Sequence, residues 1–196
     1  MAEERLLFRS GGYRNLKSFK LARVCYNITA RFVELYIPRD SRTADQMVQA
    51  ARSGVQNIAE GSVASATSKR TELKLTNVAR ASLTELRLDF EDYLLQHAAP
   101  LWSKENPCAQ EFIRRRIDSN RGFREFVEWA MTQPTMSVNV GKCPLKSVIV
   151  ANAALLLIDT SCYFLTRQID RLAADFETGG GFSERMRKVR SAKRRE

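Results

Sequence analysis

The chain has 196 residues, 44% of them hydrophobic, with a formal net charge of +10, nine glycines, five prolines and one histidine. That length holds one domain, or one domain with an insertion, and is enough to bury a sizeable core. So little glycine and proline excludes a loop-rich β protein, and one histidine leaves no histidine pair for a metal or for acid–base work.

The four cysteines are Cys25, Cys108, Cys143 and Cys162. None pair at a metal-ligand spacing, so we expect no zinc site and no other cofactor. Cys25 and Cys162 lie on apolar helix faces and read as buried thiols. Cys143, just before Pro144, could be a loop thiol, but no histidine is near it in sequence. No apolar run follows a basic start, as a signal peptide would need. The longest apolar run, Val148 to Ile158, is broken by Asn152 and is too short to span a bilayer. The expected compartment is the cytoplasm, with no membrane contact and with reduced thiols.

Residues 1–12 form a polar lead ending in Ser10-Gly11-Gly12, expected to be flexible. The first helix is expected from Tyr13 or Leu16 to Tyr36, with Leu21, Val24, Cys25, Ile28, Phe32 and Leu35 as its apolar stripe. Pro38 ends it, because the residue before a proline leaves the helical region. Asp40, Ser41 and Thr43 offer caps for the second helix. That helix carries Gln46 to Gly61, QMVQAARSGVQNIAEG. Met47, Ala51, Val55 and Ile58 share one face. Ala50, Ala51, Ser53 and Gly54 leave room for a close neighbour, and Gly61 reads as the helix stop.

A third helix is expected from Lys69 to His97, with Leu73, Leu83, Leu86, Phe90, Tyr93 and Leu94 facing inward. Ala79, Ala81 and Ser82 again permit close packing. Residues 98–146 break the pattern with Pro100, Pro107, Pro134 and Pro144. A structureless loop that long does not suit a compact domain. Glu111 to Ile117 and Phe123 to Met131 read as two short amphipathic helices within it. The fourth long helix is expected from Leu145 to Phe176 or Glu177. Its apolar surface near Leu155 to Ile158 is wider than one stripe, the best hint in the sequence of a subunit interface. Gly179-Gly180-Gly181 then leads into a tail. Residues 178–196 hold seven basic residues and two acidic ones, half of the net charge.

Asn57 to Gly61 (NIAEG), with Gln46, Ala50, Ala51 and Ser53 before it and Ala79 to Leu86 (ARASLTEL) after it, resembles a family of small bacterial four-helix bundle proteins. Those include the proteins encoded in 23S rRNA intervening sequences and, more distantly, the accessory proteins of diversity-generating retroelements. The resemblance covers residues 13–97 and 147–177. It implies an all-α, antiparallel, up-down-up-down four-helix bundle. The residues themselves place that bundle over 13–177, with residues 98–146 as a helical insertion between helices three and four, and residues 178–196 as a basic, flexible tail. The resemblance also implies a homopentamer, an accessory role beside an enzyme such as a reverse transcriptase, and a structural part for Asn57, Glu60, Gly61 and Glu85. For Glu60 that part is to order the helix end or to pair across a subunit boundary. Typical relatives carry two arginines where this chain has Val48 and Gln49, and a proline where it has Val55, so a basic surface on helix two does not carry over directly.

Residue chemistry argues against catalysis. No phosphate-binding glycine loop of the GxxxxGK[ST] or GxGxxG type is present. His97 reads as a surface residue at a helix end. Asp89 and Asp92 share a helix side, a pair that a metal nuclease could use, but neighbouring bases suffice to explain them. The sequence therefore favours a non-enzymatic, self-associating protein that binds nucleic acid, RNA before DNA, through phosphate contacts. The candidate contacts are Lys17, Lys20, Arg23 and Arg31 on helix one, Arg52 on helix two, and Lys69, Arg70 and Lys74 on helix three. In the tail they are Arg185, Arg187, Lys188, Arg190, Lys193, Arg194 and Arg195. The alternative is a protein adaptor that docks its partner on the insertion through Trp102, Phe123, Phe126 and Trp129, provided that these are exposed.

Overall fold

The structure is a computed structural model that describes residues 11–133, 145–179 and 182–194. Among these it is all-helical, with no strand. A 3-10 turn at Gly12–Asn15 precedes α1 (Lys17–Tyr36), α2 (Arg42–Ala64), α3 (Lys69–Gln96), α4 (Pro107–Arg115), α5 (Asn120–Met131), α6 (Leu145–Gly179) and α7 (Phe182–Lys193). Pro134, Gly141, Cys143 and Pro144 lie outside the described residues.

Local chemistry sets most boundaries. The Ser41 hydroxyl accepts the Thr43 amide at the start of α2, and Ser68 accepts the Thr71 amide at the start of α3, each satisfying an amide that the first turn leaves free. Asn106 caps α4, and Pro107 takes its first turn. Proline is suited to that position because its missing N–H has no partner there anyway. The first insertion helix therefore starts at Pro107, earlier than the expected Glu111. Within the basic tail, residues 182–193 form the helix α7. That segment is made of good helix formers such as Arg, Lys, Met and Ala, with no glycine or proline inside it.

Four long helices make the core. α1 packs on α2 and α6, and α3 packs on the same two. Ser53 meets Ser82 at 3.0 Å, Arg80 donates to Thr166 at 3.2 Å, Arg87 to Asp159 at 2.8 Å, and Tyr93 to Ser147 at 2.9 Å. Residue numbers thus fall along α6 as they rise along α3. Met47, Ala51, Val55 and Ile58 of α2 are buried as the periodicity predicts. So are Leu83, Leu86, Phe90, Tyr93 and Leu94 of α3. Cys25 is a buried free thiol, and Cys162 is free and half-buried. Burial and then the neighbouring Cys162 push the Cys25 thiol up, which keeps it protonated and unreactive.

Three expectations fail, each for a packing reason. Gly61 does not end α2. It lies buried inside the helix, where an added Cβ would come within 3.2 Å of Leu75 Cβ and 3.3 Å of the Glu72 carbonyl oxygen. Its role is to let α3 approach, not to turn the chain. Leu35 is not core: it lines an open groove between α1, α5 and α6 and is 51% exposed. The broad apolar face of α6 is covered within the chain, because α4 and α5 pack on it in addition to α1 and α3. Val148, Ile149, Ala151, Leu155, Leu157 and Ile158 are all buried that way. α6 also contains an 18-residue window long and apolar enough, by composition alone, to cross a membrane, and 61% of that window is buried inside the protein.

Asn152, which interrupts the apolar run, fastens the insertion to α6. Its side chain accepts the Trp102 amide at 2.8 Å and donates to the carbonyls of Pro100 and Val148, each at 3.0 Å. A buried amide with all these bonds made is tolerated in the core, whereas an unpaired one would cost about 1–3 kcal/mol.

The tightest helix approach is at Gly54. A Cβ there would sit 2.8 Å from Leu83 Cδ2 and 2.9 Å from Leu83 Cγ, and Leu83 has no free surface to move into. Alanine would gain about 1 kcal/mol of helix propensity, but overpacking costs about 1–3 kcal/mol. We expect Gly54→Ala to lower the thermal midpoint. Gly54→Ala/Leu83→Ala should lose less stability than the two single variants together. A Gly54→Ala chain as stable as wild type would show that Leu83 yields freely.

Candidate nucleic-acid interface

The basic residues are not spread evenly. The 3-10 turn, the start of α1, the end of α2, the start of α3 and the C-terminal half of α6 converge around a cavity of about 380 Å3. Gly11, Leu16, Ser65, Lys69, Glu72 and Arg171 are among its lining residues. The Gly11 amide, with Gly11 at a φ of 83°, donates to the Ser62 carbonyl at 3.1 Å and closes this end. Lys17, Lys20, Lys69, Arg70 and Lys74 belong to the helix turns that meet here, and α6 leads from the same end to α7.

Some of these charges are already engaged. Lys17 Nζ lies 2.9 Å from Asp118, and Lys69 Nζ lies 2.9 Å from the nearly buried Glu72. The first pair is half-exposed and of small worth; the second fixes the start of α3. Lys20, Arg70 and Lys74 are exposed and have no ion pair among the described residues. Arg187, Arg190 and Arg194 of the tail are exposed. Arg185, Lys188 and Lys193 also belong to α7, and Arg195 lies outside the described residues.

The other candidates sit apart. Arg23 is exposed further along α1, and Arg52 is exposed midway along α2. Arg31 is about 21 Å along the helix from Lys17 at 1.5 Å per residue. It is bound to Glu34 at 2.6 Å. Sequence reasoning missed Arg124 and Lys146, which come to the same groove as Arg31. They belong to elements more than 90 residues further along the chain, and no local spacing could have joined them.

Of Asn57, Glu60, Gly61 and Glu85, two make close contacts within the chain, Asn57 by hydrogen bonds and Gly61 by packing. The Asn57 amide donates to the Ser53 carbonyl at 2.9 Å and to its hydroxyl at 3.0 Å. Ser53 in turn meets Ser82 of α3. Asn57 thereby orients the polar contact between α2 and α3. Glu60 is exposed and makes no ion pair among the described residues, so it does not order the helix end through such a pair.

Glu85 lines a groove of about 650 Å3 with Asp45, Gln46, Gln49, Ser53 and Asp89. A second cavity, of about 510 Å3, adjoins it at Gln46 and Asp89 and adds Asp92, Gln96 and His97. Neither is lined by a lysine or arginine. The expectation that nearby bases neutralise Asp89 and Asp92 therefore fails. Arg87 turns away to Asp159 and Glu91, each at 2.8 Å. Burial, then the charges of Asp92 and Glu85, push the Asp89 carboxyl above its ordinary range.

His97 is half-buried, with Nδ1 2.7 Å from the Tyr93 carbonyl oxygen and its ring 4.3 Å from the Tyr93 ring. Among the described residues no group of three or more His, Cys, Asp or Glu comes together in a way that could hold a metal ion.

The four aromatic docking candidates are not a free surface. Phe123 and Phe126 are buried. They pack edge-on around Phe112, with centroids 6.2 and 5.0 Å away. Trp102 and Trp129 are half-buried against Phe126, and the Arg115 guanidinium covers Trp129 at 4.7 Å from its ring centre. The insertion needs these rings for its own core, because two short helices have little else to bury.

Comparison with protein-family models, with curated proteins and with solved structures finds no match in any of the three.

The Asp89 environment carries a pH signature. A carboxyl raised on folding favours the folded state only while protonated, and that advantage is lost as pH rises through its folded value. We expect Asp89→Asn to raise the thermal midpoint at neutral pH, with the gain closing as pH falls below about 4, where both chains are uncharged at this position. An equal gain at both pH values would show that charge is not the cause.

Proposed function

We propose that the chain is an antiparallel four-helix bundle, ordered up-down-up-down through α1, α2, α3 and α6, with α4 and α5 as a helical insertion. We propose that it works without catalysis, as a self-associating accessory protein that binds nucleic acid, RNA before DNA. The supporting observation is the charge polarity. Exposed, unpaired cations collect at the end where α1 and α3 begin and where α6 leads to α7. Unpaired carboxylates collect along the α2–α3 face. A polyanion is drawn to the first surface and repelled from the second.

Lysines and arginines without a built pocket contact phosphates rather than bases, so binding is shape-driven and salt-sensitive. Self-association multiplies each weak patch, and avidity converts modest contacts into useful affinity. The resemblance at Asn57 to Gly61 and Ala79 to Leu86 supports the accessory role, the homopentamer and an enzyme partner such as a reverse transcriptase. In this reading α6 is a core helix, the protein works in the cytoplasm, and its thiols stay reduced. Burial of Phe123 and Phe126 removes the main anchors of the adaptor alternative.

Gel-shift titration with a structured RNA over a range of salt concentrations tests the reading. We expect affinity to fall steadily as salt rises. Arg187→Gln/Arg190→Gln/Arg194→Gln should weaken binding and reduce the salt slope by about 2–3. No binding even at low salt would remove the proposal. Binding that ignores salt would remove the phosphate mechanism.

A further inference from the structure

Leu35, stranded in solvent at the end of the α1 stripe, is part of a larger feature. It lines a groove of about 470 Å3 between α1, α5 and the start of α6. The floor is apolar, with Ile28, Phe32, Val127 and Val150. Arg31, Arg124 and Lys146 line the same groove, with Glu128 as its one acid. All three cations are exposed, and neither Arg124 nor Lys146 has an ion pair among the described residues. The Arg31–Glu34 pair is more than 60% exposed on both sides and is easily exchanged in water. The groove is oily within and positive at its edge.

The outward face of α3 is its complement. Leu88 and Leu95, two helical turns apart, are 53% and 76% exposed. Glu85 and Asp92 lie beside them at helical spacing, both exposed and without an ion pair among the described residues. Arg87, the base next to Leu88 in the sequence, is turned to α6. The result is an oily ridge with a negative edge. α1 and α3 each pack on α2 and α6, and no α3 residue lines the groove, so the ridge of one chain does not lie in its own groove.

We propose that the α3 ridge of one copy docks in the α1–α5–α6 groove of the next. Leu88 and Leu95 enter the apolar floor beside Leu35, while Glu85 and Asp92 meet Arg31, Arg124 and Lys146. This rests on the reading that the chain self-associates and says which surfaces do it. Two different patches meet, so the contact is head-to-tail, and repeated copies close into a ring or continue as a filament. α5 supplies Arg124 and Val127, which gives the insertion a role: it builds one wall of the socket.

Sedimentation velocity on the full chain tests this with two variants, both confined to exposed side chains. One is Arg124→Glu/Lys146→Glu in the groove; the other is Leu88→Glu/Leu95→Glu on the ridge. Each should raise the dissociation constant at least about tenfold and leave monomer at concentrations where wild type assembles, with unchanged circular dichroism. An equimolar mixture of the two should give a dimer and nothing larger, because one intact ridge and one intact groove remain between them. A variant that keeps the wild-type mass, or a mixture that stays monomeric or returns to the wild-type mass, overturns the proposal. If the groove variant assembles normally but loses RNA in the gel shift, the groove is a phosphate site and the proposal also falls. A wild-type chain that is itself monomeric defeats the self-association reading as well. Failure of the variants alone defeats only this inference.

Discussion

The close approach of α2 and α3 is the constraint on which the rest depends. Two glycines of α2 face α3, where an added methyl group would clash at Gly54 and be tight at Gly61, and Ala51, Ala79 and Ser82 are buried along the same seam. Small residues let two backbones come near, and near backbones exclude water along a long line of contact. The polar chain Asn57–Ser53–Ser82 lies within that seam. Hydrogen bonds cannot slide by a helical turn without being left unpaired, so they hold the register that the apolar contacts alone would leave loose.

Once α2 and α3 are locked, α1 and α6 complete the core, and α6 has more apolar surface than its two long neighbours, α1 and α3, cover. The insertion resolves this. Its aromatic cluster buries the extra face of α6, and Asn152 satisfies the backbone where the chain leaves α3 for the insertion. The apolar face of α6 that hinted at a subunit interface is largely covered within the chain. The surface left open for contact lies elsewhere, in the groove that Leu35 lines between α1, α5 and α6 and where α3 shows leucines to solvent.

Charge is arranged along the same frame. The ends of helices that meet near Gly11 and Ser62 bring lysines and arginines together from distant parts of the chain. The α2–α3 face brings carboxylates together, and the bases that might have neutralised them are held by α6 and by Glu91. A formal net charge of +10 thus conceals a strongly acidic face, and the average says little about what either surface meets.

The sequence by itself determined the four long helices and most of the core. Periodic apolar residues, serine caps and a proline stop act over a few residues, so Met47, Ala51, Val55 and Ile58 on α2, and Leu83 to Leu94 on α3, could be placed by counting. The value of small residues between α2 and α3 was equally legible. The tertiary structure alone decided what each exposed or buried surplus was for. Gly61 looks like a stop because glycine often ends helices, but what it faces is Leu75 and Glu72 on another helix. Leu35 continues an unbroken stripe, but whether a stripe is covered depends on how closely distant helices pack over it. Arg31, Arg124 and Lys146 meet at one groove although they are far apart in the chain. Local pattern fixes backbone conformation because helix forces act between near neighbours; burial and charge grouping are set by which distant segments pack together.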